Sequence, residues 1–312
     1  MALGRRSLGR VLVTGAGGFL GAALMGVLQS RKVETLATDF AGEGALPDGM
    51  TALDVRDAAA ILRVMETARF DTVFHCGAVS GPMVMADRPL EIWNINAGGT
   101  ANLLEAARRT RAGRVVVCST VEVYGSAASG MVTEAALPRP DGVYGASKAA
   151  AEQATLAYHS EHGLDTVALR LAWIYGPGRK TPTTLAALLA DSLAGRTTTI
   201  FGHPSDATHY LYIDDAVDGL LCAAMAALPA DARIFNIAAG PGLKLSDVLD
   251  QVRAVAPGAQ IDFQAHATPS PGPAGFSPDL AAAALGFRAR TSFKDGLTRY
   301  LAHLRGANPA SA

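Results

Sequence analysis

The sequence has little charge, few cysteines and no long apolar run, and each shortage removes a class of protein. Asp, Glu, Lys and Arg make up 18% of the 312 residues, below the ~25% usual for soluble domains. With 27 Lys and Arg against 28 Asp and Glu the net charge is −1, so neither a basic nucleic-acid binder nor an acidic tail is expected. Cys76, Cys118 and Cys222 stand far apart, with no Cys-x-x-Cys pair. That spacing gives no support to a disulfide framework or a structural zinc site. No apolar run reaches the roughly 18–20 residues of a membrane helix; Gly219 to Ala230 comes closest, bounded by Asp218 and Asp231. Arg5 and Arg6 ahead of the apolar stretch Val11 to Leu28 superficially resemble an export signal. That stretch is full of glycine and reads better as a nucleotide-binding turn, so a cytoplasmic location is expected.

Apolar side chain is abundant, at 49% of the residues, enough for a packed globular chain of one or two domains. Strand and helix patterns alternate through the first half. Arg10 to Thr14, Val33 to Thr38, Thr72 to His75, Val115 to Ser119 and Thr166 to Leu171 read as strands. Between them Phe19 to Gln29, Ala58 to Thr67 with Asp57 as N-cap, Leu90 to Arg109 and Tyr144 to His162 read as helices. This alternation predicts an α/β fold, a doubly wound parallel Rossmann sheet with helices on both sides. Residues 1–175 form the nucleotide-binding domain in this reading. Residues 176–312, with shorter mixed elements and a Pro- and Gly-rich run at Pro269 to Gly275, form a smaller lobe over the cleft. Strands such as Arg233 to Ile237 return from it to the main sheet.

Thr14 to Gly21 reads TGAGGFLG, with Gly15, Gly18 and Gly21 spaced as G-x-x-G-x-x-G between the first strand and the first helix. Glycine permits the tight turn and the close approach of a pyrophosphate, and the helix N-terminus offers free N–H groups. Asp39 follows 18 residues after Gly21, at the end of the second strand. A carboxylate there accepts hydrogen bonds from a ribose diol and repels a 2′-phosphate. No Arg or Lys follows in Phe40 to Met50, so NAD is favoured over NADP.

Tyr144 and Lys148 lie four apart on a predicted helix, one turn apart on one face. A lysine that close is expected to lower a phenol pKa that is ~10 unperturbed. Ser119 and Thr120 end a predicted parallel strand, and carboxyl ends of such strands line the ligand crevice. A hydroxyl there can bind a substrate oxygen while tyrosine moves its proton.

With these motifs the chain resembles the extended short-chain dehydrogenases/reductases, in the NAD-dependent epimerase/dehydratase group. The matches are TGAGGFLG, Asp39, the pair Asp54-Val55, HCGA at His75 to Ala78, NINAGGTANLLEAAR from Asn94, STVEVYG from Ser119, YGASK from Tyr144, LRLAWIYGPG from Leu169 and YIDDAV from Tyr212. They run in the family's order over essentially the whole chain. The resemblance implies that Asp54 and Val55 meet the adenine and that Cys76, Gly77 and Ala78 run along the cofactor. It puts Asn96 near the nicotinamide end and extends cofactor contact to Phe19, Leu20, Cys118 and Leu171. Thr120, Tyr144 and Lys148 become the catalytic set, with Lys148 also on the nicotinamide ribose. Pairing of the helices Leu90 to Arg109 and Tyr144 to His162 across a homodimer is implied as well.

Departures from the family bear on the substrate. Where dehydratases of the family have Asp and Glu after the threonine, this chain has Val121 and Glu122; valine cannot protonate a leaving hydroxyl, whereas Glu122 keeps acid/base capacity. Trp173 stands where nucleotide-sugar members usually carry Asn, and Thr208 and His209 stand in place of an Arg-Asp pair. Gly275 to Asp279 also lacks an arginine. Arginine's fork is the usual diphosphate holder; Arg179, Lys180 and Arg196 could substitute for it, though each reads first as a solvated charge. Ser80, Trp173 and His209 are the candidate substrate residues. The reading this supports is NAD-dependent hydride transfer at a secondary alcohol or ketone of a small polar substrate: a sugar, sugar acid or hydroxy acid. Two alternatives stand beside it: a nucleotide-sugar epimerase that retains its NAD, and a non-catalytic NAD-binding regulator.

Overall fold

A computed structural model describes residues 6–42 and 46–307; Arg5 of the export-like segment lies outside them. Seven parallel strands form the central sheet. Five come from the first half: β1 (Val11–Thr14), β2 (Thr35–Asp39), β3 (Met50–Ala52), β4 (Thr72–His75) and β5 (Arg114–Thr120). Across the sheet the order is Ile234–Ile237, Thr166–Leu171, β5, β4, β1, β2, β3. The chain runs from β1 outward to β3 and then returns to the other side of β1. The carboxyl ends of β1 and β4 therefore flank the crevice where ligands bind in such sheets. Among the described residues no helix is long and apolar enough to cross a membrane.

The unbroken apolar runs are explained by burial on both faces. Val11 and Val13 pack with Val116 and Leu169 on one side, against Leu24 and Leu28 of α1 (Phe19–Ser30) and Leu220 of the helix Ile213–Met225. Leu12, Val73, Val115 and Val117 pack on the other, against Ile61 of α2 (Ala58–Glu66) and Leu103 and Leu104 downstream. Asp57 caps α2 by accepting from the Ala60 N–H, as the sequence predicts. The expected single helix from Leu90 to Arg109 is instead three pieces. α3 (Pro89–Trp93) leads through a wider π-helical turn, Asn94–Gly98, into α4 (Gly99–Arg109). Such turns cluster at functional sites, and this one turns Asn96 inward.

The long helix α5 (Val143–His162) ends at Gly163 in the left-handed region. Beyond it, Trp173–Tyr175 pairs in parallel with Tyr210–Tyr212, and Thr197–Gly202 with Gln260–Ala265. The helices Thr184–Ala194, Leu245–Val255 and Phe293–Ala307 close a separate apolar cluster around Tyr175, Leu189, Ile200, Leu249 and Leu297. This is the smaller lobe. It returns Ile234–Ile237 to the edge of the main sheet beside Thr166–Leu171.

Candidate active site

The turn after β1 is shaped for close approach by a dinucleotide. Gly15 has φ +69°, and a Cβ there would meet the Gly77 nitrogen at 2.5 Å; at Gly21 it would meet the Gly15 carbonyl oxygen at 2.0 Å. Gly18 is the N-cap of α1 with no side-chain cap, and the first turn holds no acidic residue. The N–H groups beside Phe19 and Leu20 are thus left for an anion. Asp39, ending β2, accepts from the Gly17 N–H at 2.7 Å, so the carboxylate stands against the glycine turn. Gly17 was not among the expected contacts. These residues fit a nicotinamide dinucleotide.

Along the rest of the cleft the expected residues divide. Asp54 accepts from the Arg56 guanidinium at 2.7 Å, and that hydrogen bond holds its carboxyl below the usual range. Val55 is buried where Gly99 of α4 lets it pack, at a separation a Cβ would reduce to 2.6 Å. Cys76, Gly77 and Ala78 follow β4 directly and are half-buried. Leu171 lies opposite Thr120 in the sheet and is buried. Asn96 has no exposure, and its amide is spent on protein. It accepts from the Val79 N–H at 2.8 Å and donates to the Ser147 hydroxyl at 3.0 Å. It ties the segment after β4 to α5, which positions the cleft wall.

His75 at the end of β4 is buried between Thr14 and Thr100, at 2.7 and 3.1 Å from its two ring nitrogens. The Thr100 hydroxyl donates to the Asn96 carbonyl, which assigns the imidazole proton to Nε2 and leaves Nδ1 as acceptor from Thr14. Burial, with the Lys148 charge nearby, pushes the His75 pKa down to about 3.

Tyr144 rises from the first turn of α5 toward Thr120, and the Thr120 hydroxyl and the Gly81 backbone favour the phenolate. Burial outweighs both and, with Glu122 adding repulsion, pushes the phenol up to about 12. The expected lowering by Lys148 is absent. Lys148 lies one turn along α5 as predicted, but its ammonium donates to the Cys118 carbonyl at 2.9 Å, and burial lowers its own pKa. Glu122 stands beside Asp141 at the same mouth; desolvation first, then the Asp141 charge, raises its carboxyl pKa. Val121 is buried.

Beneath this set lies a buried polar chain that the sequence does not announce. Ser119 donates to Glu152 at 2.6 Å, Glu152 pairs with Arg170 at 2.7 Å, and Arg170 stacks 4.6 Å over the Tyr124 ring. Charges at i and i+18 read as solvated surface when only the sequence is known. Of the candidate substrate residues, Ser80 is exposed, Trp173 is half-buried, and His209 packs its ring 4.6 Å from Phe276 with Nε2 unpartnered. Burial keeps His209 neutral. Arg179 is not a solvated charge. It donates to the Ile174 carbonyl, lies over the rings of Phe19 and Trp173 at 5.7 and 5.5 Å, and leaves Nε buried without a partner. Lys180 reaches the Gly17 carbonyl, so the segment after Tyr175 crosses onto the glycine turn.

Fold and site together define a dinucleotide-dependent enzyme with a threonine–tyrosine–lysine set. The model of the NAD dependent epimerase/dehydratase family matches residues 11–238, and the chain belongs to that family, the extended short-chain dehydrogenases/reductases. It is 29% identical to the dTDP-glucose 4,6-dehydratase of an Actinoplanes sp., over 95% of this chain and 98% of the relative. With the UDP-glucose 4-epimerase of Streptomyces lividans it shares 28% identity, covering 79% and 81%. The solved structure of Thermus thermophilus UDP-glucose 4-epimerase with NAD superposes with TM-score 0.83 at 30% identity, covering 96% and 99%. The cofactor is accordingly the family's NAD.

Proposed function

We propose that the chain moves a hydride between NAD and the secondary alcohol or ketone of a small polar substrate, a sugar, sugar acid or hydroxy acid. The observation that carries this is the meeting of Thr120 and Tyr144 at the carboxyl end of β5, with Lys148 one turn behind. In the oxidative direction Thr120 holds the substrate oxygen and Tyr144 takes its proton. Bound NAD supplies the hydride acceptor and a positively charged ring, which favours the phenolate. The Lys148 ammonium, desolvated in the wall, binds the cofactor's ribose hydroxyls as the resemblance implies. Asn96 and the Cys118 carbonyl hold that wall in register.

The substrate side supports a compact ligand. Aromatic Trp173 stands where nucleotide-sugar members carry Asn, Thr208 and neutral His209 stand in place of their Arg-Asp pair, and Arg179 lies over Trp173 and Phe19 with its charge felt at Tyr144. One guanidinium suits a single carboxylate or phosphate. Buried Val121 provides no acid for dehydration. The second reading, a nucleotide-sugar epimerase that returns its hydride to the other face of the ketone, is favoured by the relatives. A screen of NADH formation across free sugars, sugar acids, hydroxy acids and nucleotide sugars separates the two. Net NADH from a compact substrate supports the first; redox-neutral conversion of a UDP- or dTDP-sugar overturns it. The proposal extends to a homodimer through α4 and α5, measurable by sedimentation, and to the cytoplasm, where thiols such as Cys76 stay reduced.

A further inference from the structure

The parallel register of β4 and β5 sets His75 opposite Val117, so the next residues, Cys76 and Cys118, emerge side by side at the carboxyl ends. Their sulphur atoms lie 3.7 Å apart. Neighbouring strands are ~4.8 Å apart, inside the Cα separation that a disulfide spans. Neither cysteine is in a disulfide; Cys118 is buried and Cys76 half-buried. Cys76 lies against the glycine turn, since a Cβ on Gly15 would meet the Cys76 carbonyl carbon at 2.6 Å. Proton transfer by Tyr144 uses neither thiol.

The two sulphurs are electrostatically unlike. Cys118 donates to the Cys76 sulphur, and this contact, with the Lys148 ammonium, lowers the Cys118 thiol pKa against burial. Its sulphur neighbour and burial push the Cys76 thiol up. Two thiols in contact beside an ammonium form an environment in which a cysteine becomes reactive, and half-buried Cys76 is the side of the pair open to the cleft.

We propose that Cys76 and Cys118 form a redox modification site at which a hydroperoxide closes a cross-strand disulfide and shuts the cofactor cleft. The Cys118 thiolate attacks the peroxide, breaking its O–O bond, to give a sulfenic acid and an alkoxide or hydroxide ion. The Cys76 thiol then displaces the sulfenic oxygen, forming the S–S bond and releasing water. Two thiols are oxidised by two electrons and one peroxide is reduced. Closing the sulphur separation to ~2 Å draws Cys118 toward β4 and away from Lys148, whose ammonium rests on the Cys118 carbonyl. Loss of NAD binding follows from that displacement, a consequence that rests on the cofactor placement above; disulfide formation itself does not.

The test uses the full chain stripped of NAD, treated with hydrogen peroxide, and followed by intact mass and by mapping of alkylated peptides. The expected result is loss of two hydrogen masses, one crosslinked peptide joining Cys76 to Cys118, loss of NAD binding and recovery of both with dithiothreitol. Saturating NAD should slow the reaction, and Cys118→Ser should form no intramolecular crosslink and show the same NAD binding before and after peroxide, whatever its starting affinity. Cys76→Ser should stop at sulfenic acid, trappable with dimedone. Oxidation confined to Cys222, sulfonic acid without a crosslink, or a crosslinked protein with undiminished NAD binding would each overturn the proposal. If the untreated chain binds no NAD, the cleft assignment fails, whereas the crosslink still reports on the cysteine pair.

Discussion

The Lys148 ammonium donates to the carbonyl oxygen of Cys118 at 2.9 Å and not to the phenol of Tyr144. Helical spacing brings the two side chains to one face, but a desolvated ammonium takes the nearest strong acceptor. Tyr144 is left with a pKa near 12. The unliganded enzyme therefore holds a protonated tyrosine at neutral pH, and oxidation should accelerate as pH rises through the alkaline range.

Tyr144→Phe should leave NAD affinity nearly intact and lower turnover by ~10²-fold or more, the contribution of a general acid/base. Steady-state kinetics beside a cofactor titration decides it, and near-normal turnover would remove Tyr144 from proton transfer.

Asp39→Ala removes the carboxylate that accepts from Gly17. NAD binding should weaken while discrimination against NADP relaxes, because repulsion of the 2′-phosphate is lost. Parallel titrations with both cofactors check this; unchanged values for each would take Asp39 out of the site.

Arg179→Ala should raise KM for an anionic substrate by about 10- to 100-fold, from ~1.5–3 kcal/mol for a charge-assisted hydrogen bond. A neutral sugar should lose little. Equal losses for charged and neutral substrates would show that Arg179 acts only by packing Trp173 against Phe19.

Glu152→Ala strands Arg170, whose side chain is 2% exposed. Denaturant unfolding should show a loss of about 3–5 kcal/mol, as for other buried pairs broken on one side. A change under 1 kcal/mol would mean that water reaches Arg170.

His75 should make the fold acid-sensitive. Its pKa is about 3 in the fold against an ordinary 6.5, so below pH 6.5 the unfolded chain binds a proton that the folded chain refuses. Stability is fully present above pH 6.5 and falls by ~1.4 kcal/mol per unit until the imidazole protonates near pH 3. His75→Asn should flatten that part of the stability profile measured with urea, and an unaltered slope would refute the assignment.

The legible parts of the molecule are those with strong local signals. The VVVC run of β5, the glycine turn and Asp57 report a buried strand, a phosphate loop and a cap from neighbouring residues alone. The elements missed are short or relational. Two-residue strands such as Ala207–Thr208 and Leu243–Lys244 carry no periodicity. The π-helical turn at Asn94–Gly98 shares its apolar spacing with a regular helix and becomes visible only when Asn96 finds Val79. Arg179 reads as surface charge, and the Glu152–Arg170 pair goes unnoticed, because burial of an ion depends on partners distant in sequence. Likewise the encounter of Cys76 with Cys118 follows from strand order, which local pattern does not encode.

The strand Ile234–Ile237 reaches the main sheet partway through the smaller lobe, after Thr184–Ala194 and before Leu245–Val255 and Phe293–Ala307. It hydrogen-bonds the outer edge of Thr166–Leu171, while the carbonyls of Ala223 and Ala226 receive the buried Arg114 guanidinium. A chain cut after residue 175 would lose both, leaving an open sheet edge and an Arg114 guanidinium held by Asp165 alone. The two lobes are thus interlaced, and the smaller one is not a cassette that can be lifted out. Transplanting substrate preference from a relative would succeed only at loops between paired segments, such as residues 176–183, where the graft leaves the sheet's last strand in place.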